Sequence, residues 1–403
     1  MREMKKFVKE IWTLTKRELG IISGDGSIIL TIFIAPLLYM FLLGTIYQQK
    51  DINSVNMAVI DMDHTQLSRT YIRFIESSQK VHVSNTPNDF EEAKDLFYRF
   101  KVFGVLVIPK GFEKDVITLK GTNTTLYLNN SRFLMSNEIN KTVQKVSLMV
   151  GAGVRLKYFE STGTNPREAM EIVMPVKPEI NFVNNIFNNY GYFLLPGLLF
   201  LILQQTLLIG LGESISIERE EHLLGSWLKN GRSIFTSIVG KNMFYFVLYM
   251  VYPLLIFSGI FPYFTLPVKG DLFALVVLIV LFIIAMLLFT NLLASFFKKQ
   301  IVFMELMAFT SYPIFLIIGY TFPRYAMPVF YKLVSYVLPT TPFMEALVKL
   351  TQQNAKFAYV YNNYVILAIQ IIVLYALLHW RLSYLRKTTT PSEKVEIKNR
   401  AVV

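Results

Sequence analysis

Six long apolar segments restrict the fold of this chain more than any other feature of its sequence. Each has about 20 residues, the length that a helix needs to cross the hydrocarbon core of a bilayer. Only one contains a charged residue, Glu305. The segments are Ile28–Tyr47, Phe193–Gly212, Asn242–Pro262, Leu272–Phe296, Ile301–Phe322 and Tyr359–Leu378. Hydrophobic residues make up 53% of the chain and charged residues 17%. The sequence therefore predicts a polytopic α-helical membrane protein with six transmembrane helices.

Basic residues beside the spans predict the orientation of the chain. They form four clusters, which precede the first span, separate the second from the third and the fourth from the fifth, and follow the sixth. The members are Lys16, Arg17, Lys229, Arg232, Lys241, Lys298, Lys299, Arg381, Arg386 and Lys387. Since cytoplasmic loops hold the excess of Lys and Arg, both termini are expected in the cytoplasm. The net charge of +12 then reflects topology and attraction to anionic lipid, and nucleic-acid binding is disfavoured because no single basic face forms.

The interval 48–190, between the first two spans, is too long for a loop. It alternates predicted strands at 55–60, 81–84, 103–108 and 124–128 with predicted helices at 67–78, 89–100, 112–118 and 137–157. This alternation predicts an inserted extracytoplasmic α/β domain. The expected organisation is an amphipathic cytoplasmic helix (1–27), the first span (28–47), the α/β domain (48–190), five further spans (191–387) and a cytoplasmic tail (388–403).

Motifs for catalysis are absent from the sequence. No G-x-x-x-x-G-K-[ST] phosphate-binding loop and no G-x-S-x-G nucleophile motif occurs, and the four histidines are too scattered for a metal site. Asp61 and Asp63 follow the first predicted strand, where carboxylates more often cap a helix than act as a catalytic pair. We therefore expect a chain that is not an enzyme and that binds neither cofactor nor metal.

Several segments, taken in order, resemble the transmembrane subunits of ABC-2 type exporters, in the branch with six spans and a large domain between the first two. The resemblance covers nearly the whole chain. It is carried by Ile11–Leu19, Gly104–Pro109 with Phe112, Asn129–Arg132, Glu218-Arg219-Glu220 with Gly240-Lys241, Ser295, Gln300, Gly319, Pro323, Met327-Pro328 and Pro339.

This resemblance implies a permease in the bacterial cytoplasmic (inner) membrane, of the multidrug or lipophilic-export branch. Two copies of an ABC ATPase subunit are expected as partners and would hold ATP and magnesium. A second permease chain, identical or homologous, would complete a dimer, and a periplasmic adaptor protein is left open as a further partner. The substrate is expected to be hydrophobic or amphipathic, although its identity is left open.

The resemblance also assigns roles to residues. Glu218, Arg219, Glu220 and Glu221, in the coupling segment 213–233, would contact the ATPase together with Lys16, Arg17 and Glu18 of the N-terminal helix. From the residues alone, such a charged helix end either docks on a partner or forms a solvated turn. The apolar face of the N-terminal helix, expected to lie along the membrane, comprises Met4, Phe7, Val8, Ile11, Trp12, Thr15 and Leu19.

Polar and proline residues within and between the spans give further candidates. Gln204, Gln205 and Thr206 are possible pathway-lining residues, with hydrogen bonding between helices as the alternative. The resemblance implies that segment 323–350 forms short re-entrant helices on the outer side, with an aromatic belt at the membrane interface as the alternative. The gate residues would be Gly319, Pro323, Met327, Pro328 and Pro339. Glu305 is expected to pair with Lys298 or Lys299, with a functional role for a carboxylate within the membrane as the alternative. The alternative overall function is a non-transporting scaffold or signal-transmitting subunit whose outer domain binds a ligand or an envelope protein.

Overall fold

A computed structural model describes residues 2–47, 54–176, 178–181, 183–185, 190–221, 223, 228 and 233–388. The chain divides into a membrane unit, Met1–Lys50 with Phe182–Val403, and an α/β unit, Asp51–Asn181. The helices are α1 (Arg2–Gly24), α2 (Gly26–Ile46), α3 (Gln66–Glu76), α4 (Phe90–Tyr98), α5 (Phe112–Ile117), α6 (Phe133–Ser161), α7 (Pro166–Val173), α8 (Tyr190–Glu220), α9 (Ile234–Tyr263), α10 (Leu272–Ala294), α11 (Gln300–Ile317), α12 (Val329–Val337), α13 (Thr340–Thr351) and α14 (Phe357–Thr388).

Six helices within the described residues are long and apolar enough to cross a membrane, namely α2, α8, α9, α10, α11 and α14. The predicted fold class, a helical membrane protein with six spans and an inserted α/β domain, is confirmed. The most buried span is α8, which packs against α2, α10 and α11. Its sequence lacks a polar face because neighbouring helices surround it.

The two helices between the fifth and sixth spans differ in burial. The first, α12, leaves most of its apolar side chains exposed, whereas α13 buries residues along nearly its whole length. Both are too short to cross a bilayer. They are the short helices that the proline-interrupted segment 323–350 predicts.

The sheet of the α/β unit contains four strands, β1 (Val55–Asp61), β2 (Val81–Asn85), β3 (Gly104–Ile108) and β4 (Thr125–Leu128). Their order is β2-β1-β3-β4. Strand β1 runs parallel to β2 and β3, and β4 runs antiparallel to β3. All eight predicted strands and helices of this unit are present, with shifts of a few residues at their ends.

Both faces of the sheet are covered by helices, because successive side chains on a strand point to opposite sides. On one face, Met57 and Val59 of β1 join the core formed with α3, α5 and α6. On the other face, Ala58 and Ile60 pack with Ala93 of α4. The near-continuous apolar runs of β1 and β3 reflect this burial on two sides.

Asp61 and Asp63 have structural roles: Asp61 fixes the turn between β1 and α3, whose own cap is Thr65, and Asp63 caps the start of α5. Asp61 accepts hydrogen bonds from the backbone N–H of Asp63 (3.0 Å) and from the Ser68 hydroxyl (2.7 Å). Asp63 accepts from the backbone N–H of Gly111 (2.7 Å) and of Glu113 (3.0 Å), at the start of α5. Burial alone raises the pKa of Asp63, but the hydrogen bonds from the backbone of residues 111–113 and from a threonine hydroxyl outweigh burial and lower its pKa below the usual value.

Replacing Asp63 with alanine is expected to destabilise the α/β unit by about 1–2 kcal/mol, because the first turn of α5 loses its cap. Since the folded pKa lies below the unfolded value of about 3.9, the carboxylate stabilises the unit above that pH, and the contribution disappears as the pH falls through the folded pKa. Hydrogen exchange of the α5 amides in the full chain should accelerate at pH 7. Asp95→Ala, at an exposed residue of α4 paired with Arg99, is the control and should have little effect. Equal exchange in both variants would contradict a capping role.

Candidate functional site

Four charged side chains form a buried cluster where α1, α8 and α9 meet. Lys241 Nζ of α9 lies 2.7 Å from Glu18 Oε2 of α1 and 2.9 Å from Glu218 Oε2 of α8. Arg17 Nη2 lies 2.7 Å from the second oxygen of Glu218, Oε1. The side chains of Lys241, Glu18 and Glu218 are at most 3% exposed, and that of Arg17 is 31% exposed. We call these four residues the charge cluster.

Two hydroxyl groups complete the hydrogen bonding of the charge cluster. Ser214 of α8 donates to Glu18 Oε1 and accepts from Lys241 Nζ at 3.1 Å. Tyr245 of α9 donates to Glu18 Oε1 at 3.1 Å. Two carboxylates therefore face two cations, so the cluster as a whole is neutral. Burial of these charges is offset because Glu18 and Lys241 have both an opposite charge and hydrogen-bond partners, whereas Glu218 is held by two ion pairs.

Close packing of α1 on α9 brings the charge cluster together. A Cβ on Gly240 would lie 2.7 Å from Leu14 Cβ, so this position has room for glycine alone. The Thr15 hydroxyl donates to the Gly240 carbonyl at 3.0 Å, directly across the contact. Glu18, one turn further along α1, is thereby placed over Lys241, the next residue after Gly240. The Gly240-Lys241 pair is thus a contact for α1.

The face of α1 that packs in this way differs from the predicted apolar face. Leu14, Thr15, Glu18 and Ile22 are buried. Of the seven residues predicted to lie along the membrane, only Thr15 is buried; for example, Trp12 is 59% exposed. The exposed apolar side chains remain available to lipid, which agrees with an interfacial position for this helix.

Glu18 and Glu218, which the resemblance assigns to contact with a partner, lie inside the membrane unit. Both side chains are buried inside the membrane unit and bound to its own cations, so they are not accessible at the surface. Arg219 is also bound internally, because it donates to the Ser295 carbonyl at the end of α10. Arg381 of α14 donates to the same carbonyl at 3.2 Å.

Lys16, Glu220 and Glu221 are the exposed members of the predicted coupling set. Glu220 Oε2 accepts from the backbone N–H of Gln300 at 3.0 Å, which ties the end of α8 to the first residue of α11. Lys16 Nζ lies 5.6 Å from the centre of the Trp12 ring. The coupling segment continues beyond Glu221, but residues 222, 224–227 and 229–232 lie outside the described residues, as do 389–403 of the predicted tail.

The three polar residues of α8 that are possible pathway-lining residues form hydrogen bonds with other helices. Gln205 donates to the Met307 carbonyl of α11 at 2.6 Å, and Thr206 accepts from the Tyr249 hydroxyl of α9 at 3.0 Å. Gln204 accepts from the hydroxyl of Thr340 in α13. The hollow beside Gln204 measures about 10 Å³, which is about the room that one water needs. All three side chains therefore join helices inside one subunit, the alternative that their sequence left open.

The predicted outer gate residues are turn and helix-start positions. Gly319 follows α11 with φ +83°, and a Cβ there would collide with the Arg324 side chain, so glycine is required by both conformation and space. Pro328 and Pro339 precede α12 and α13 directly. Pro323 precedes a 3-10 turn, and Met327 ends it with a buried side chain. These residues set the path of the chain between α11 and α13.

An ion-pair cluster lies beside this turn. Arg324 pairs with Glu345 of α13, whose other carboxylate oxygen lies 2.7 Å from Lys349 Nζ. Burial raises the pKa of Glu345, but hydrogen bonding and charge from Lys349, together with the charge of Arg324, outweigh burial and lower it. The cluster fastens the turn at Gly319 to α13.

Glu305 does not form the expected pair with Lys298 or Lys299. Its side chain is exposed on α11, and among the described residues no ion pair involves it. Lys299 directly precedes Gln300, the first residue of α11, and lies six residues before Glu305. Glu305 lies on the outward side of α11 because Phe303 and Met307 form the packed face of this helix.

Sequence reasoning missed three residues of the site region, namely Glu213, Ser214 and Tyr245. Glu213 is fully buried and accepts from the Gln300 side chain at 2.6 Å. Its position in the sequence could have indicated this role, because Glu213 is the first acidic residue after the charge-free run that ends at Gly212. An acid that directly continues an apolar helix needs a partner on a neighbouring helix.

Comparison with known proteins agrees with this architecture. The sequence profile of a family described as ABC-2 family transporter protein matches residues 26–380, most of the chain. A stretch of 106 residues is 29% identical to the linearmycin resistance permease protein LnrN of Bacillus subtilis (strain 168). That stretch covers 26% of this chain and 27% of the Bacillus protein, so the two match over about a quarter of their lengths. The chain belongs to the ABC-2 family of transporter proteins and is a multi-pass membrane subunit of that transporter type.

Proposed function

We propose that this chain is the permease subunit of an ATP-driven exporter, which moves a hydrophobic or amphipathic substrate out of the cytoplasm or the inner leaflet. A separate ABC ATPase, in two copies, would bind and hydrolyse ATP with magnesium. A second permease chain would complete the pathway. The chain itself would bind no cofactor and would lie in a bacterial inner membrane with both termini in the cytoplasm.

The charge cluster is the observation that carries this proposal. It joins α1 to two spans, α8 and α9, at the end where the basic residues predict the cytoplasm. Rigid ionic contacts of this kind allow a displacement of α1 or of the α8 end to move both spans together, because packed elements have discrete arrangements. An ATPase that pushes on this region would therefore act on the spans through the cluster.

The proposed substrate class has two supports. The spans are almost free of charge, so a pathway between two permease chains would be mainly apolar. The Bacillus relative is named as a resistance permease for linearmycin, and we propose that this chain likewise exports a compound of low polarity. A periplasmic adaptor protein would be required only if the substrate had to cross a further membrane.

Reconstitution tests the proposed function directly. The chain, with its co-purifying ATPase, is placed in liposomes, and the movement of lipophilic dyes is followed with ATP and with a non-hydrolysable analogue. We expect movement that requires hydrolysis. If the complex hydrolyses ATP but moves no dye and no other small molecule, the scaffold or signal-transmitting alternative is favoured. If no ATPase binds the chain, the exporter proposal is wrong.

Reversing the charge of Glu221 tests the proposed docking surface. Glu221 is exposed at the end of α8. Glu221→Lys is expected to weaken ATPase binding at least about tenfold. If Glu221 pairs with a basic residue of the ATPase, the introduced lysine would repel that residue. Affinity is measured by titrating purified ATPase against the permease in nanodiscs. Glu171→Lys, an equally exposed acid in the α/β unit, is the control and should bind normally. Normal binding by Glu221→Lys would place the ATPase elsewhere.

A further inference from the structure

The α/β unit contains an open groove of about 560 Å³ along α6. Ligand pockets for small organic molecules commonly measure roughly 300–1,000 Å³. Apolar side chains of α3, α5, α6 and the segment after α7 form most of the wall. The floor is aromatic, because the rings of Tyr71 and Phe112 stack with their centres 5.8 Å apart and both side chains are almost completely buried. The Tyr71 hydroxyl hydrogen-bonds with Ser147 at 2.5 Å.

A glycine keeps the groove open on the side of α6. Gly151 lines the groove, and a Cβ built there would meet no heavy atom within 4 Å. Glycine in a helix interior costs about 1 kcal/mol relative to alanine, and nothing in the packing here requires it. Gly153, two residues further along the same helix, has equally free space but does not line the groove. The two glycines are therefore a matched pair for a test.

Arg155 supplies the charge of the groove. It is the one charged side chain in the part of the groove wall that the structure describes, and no carboxylate lines that part. No ion pair joins Arg155 to any described residue, and its side chain is exposed. A guanidinium at the edge of an apolar cleft fits a carboxylate or a phosphate, which can accept two parallel hydrogen bonds from it.

We propose that this groove binds an anionic amphiphile, with an apolar chain along the aromatic floor and a single acidic group at Arg155. Thr122 and Thr124, which also line the groove, carry hydroxyl groups that can bond to the acidic group. The site goes beyond the proposed export function and does not depend on it, since the ligand need not be the transported compound. Its failure would leave the export proposal untouched.

Three probes of equal chain length separate the contribution of the acidic group from that of the apolar chain. They are dodecanoate, dodecyltrimethylammonium and dodecanol, which are anionic, cationic and neutral respectively. The full chain contains no cysteine, so a single introduced thiol reports its own surroundings without background. Gly151→Cys places the reporter in the groove and Gly153→Cys places it outside. The variants are held in nanodiscs of zwitterionic lipid, and the rate of maleimide modification is measured.

We expect dodecanoate to slow modification of the Gly151→Cys variant about tenfold and to leave the Gly153→Cys variant unchanged. Dodecyltrimethylammonium and dodecanol should need at least about tenfold higher concentrations for the same protection, because neither has the negatively charged pair of oxygens that accepts two charge-assisted hydrogen bonds from the guanidinium. Adding Arg155→Gln to Gly151→Cys should remove the advantage of dodecanoate, whereas Arg155→Lys should retain part of it. Thr122→Cys, on another wall of the groove, provides a second reporter and should also be protected.

Four results would overturn the proposal. Equal protection at positions 151 and 153 would show general partitioning of the probes near the protein. Equal protection by all three probes, or an unchanged preference in the Arg155→Gln background, would remove the anionic site. A disulfide-linked dimer of the Gly151→Cys variant without any probe would identify a second copy of the chain as the occupant.

Discussion

Replacing Lys241 with methionine is expected to destabilise the membrane unit by about 3–5 kcal/mol and to abolish the ATP-dependent transport that we propose. The substitution removes the cation between Glu18 and Glu218, which leaves two buried carboxylates with only Arg17 to compensate them. The apparent melting temperature in detergent should fall by roughly 5–10 °C. Transport should be lost because α1 is no longer joined to α8 and α9.

A second substitution provides the matched control for Lys241→Met. Glu18→Gln added to Lys241→Met removes one negative charge along with the positive one, so Arg17 and Glu218 remain as a neutral pair. The amide of glutamine can still accept from Ser214 or Tyr245, which now bond to Glu18. The double variant should regain most of the lost melting temperature. If the single and double variants unfold alike, charge balance is not what the cluster provides.

Replacing Gly240 with alanine is expected to have the second largest effect, a loss of about 1–3 kcal/mol from the overpacked contact between α1 and α9. The added Cβ would lie 2.7 Å from Leu14 Cβ and 2.8 Å from Leu14 Cδ1, so one helix must move. Moving α1 also lengthens the hydrogen bond from Thr15 and draws Glu18 away from Lys241. Hydrogen exchange should accelerate across α1, and coupled ATP hydrolysis should fall.

Gly259→Ala is the control for this packing effect. Gly259 also lies in α9, but a Cβ there would meet no heavy atom within 4 Å. Alanine at that position should leave stability unchanged or raise it slightly, because alanine favours helix more than glycine does. Faster exchange across α1 in both variants would mean that α9 as a whole is disturbed, and the specific contact at Gly240 would then be excluded.

The positions of the six spans could be predicted well from the sequence, but the burial of the acids near the end of α8 could not. The charge-free run stops at Gly212, whereas the helix continues to Glu220. Counting charges failed there because Glu213 and Glu218 are paired with residues of other helices, Gln300 in the first case and Lys241 in the second. A transmembrane helix can continue through a buried charged residue that has a partner, even where a count of charges would place the end of the helix.

The α/β unit was predictable element by element because its signals are local. Strands buried on both faces produce apolar runs such as Val105–Ile108, and helices begin at capping residues such as Thr65 and Asp89. The role of Asp63 was less accessible, since it caps α5 across a gap of almost 50 residues instead of the helix that follows it. Capping across such a distance depends on the arrangement of β1 beside β3.

The roles of single polar residues were the least predictable. Glu18 and Glu218 resemble exposed coupling residues in a linear sequence, and Gln204 resembles a residue that lines a pathway. Each has its partner in a helix far away along the chain, Lys241 for the two acids and Thr340 for Gln204. Whether a polar side chain faces a neighbour, a partner or water depends on the rotation of its helix, which no short motif encodes.

The sequence alone determined that this chain crosses a membrane six times, carries an inserted α/β domain and resembles a permease without a nucleotide site of its own. These properties follow from the length of apolar runs, the period of local patterns and the absence of a phosphate-binding loop. Only the tertiary structure decided that Glu18, Glu218 and Lys241 form one buried cluster and that a groove opens at Gly151. Ion pairs between helices and the space beside a glycine depend on contacts between residues that are distant in sequence, and those contacts exist only after the helices have packed.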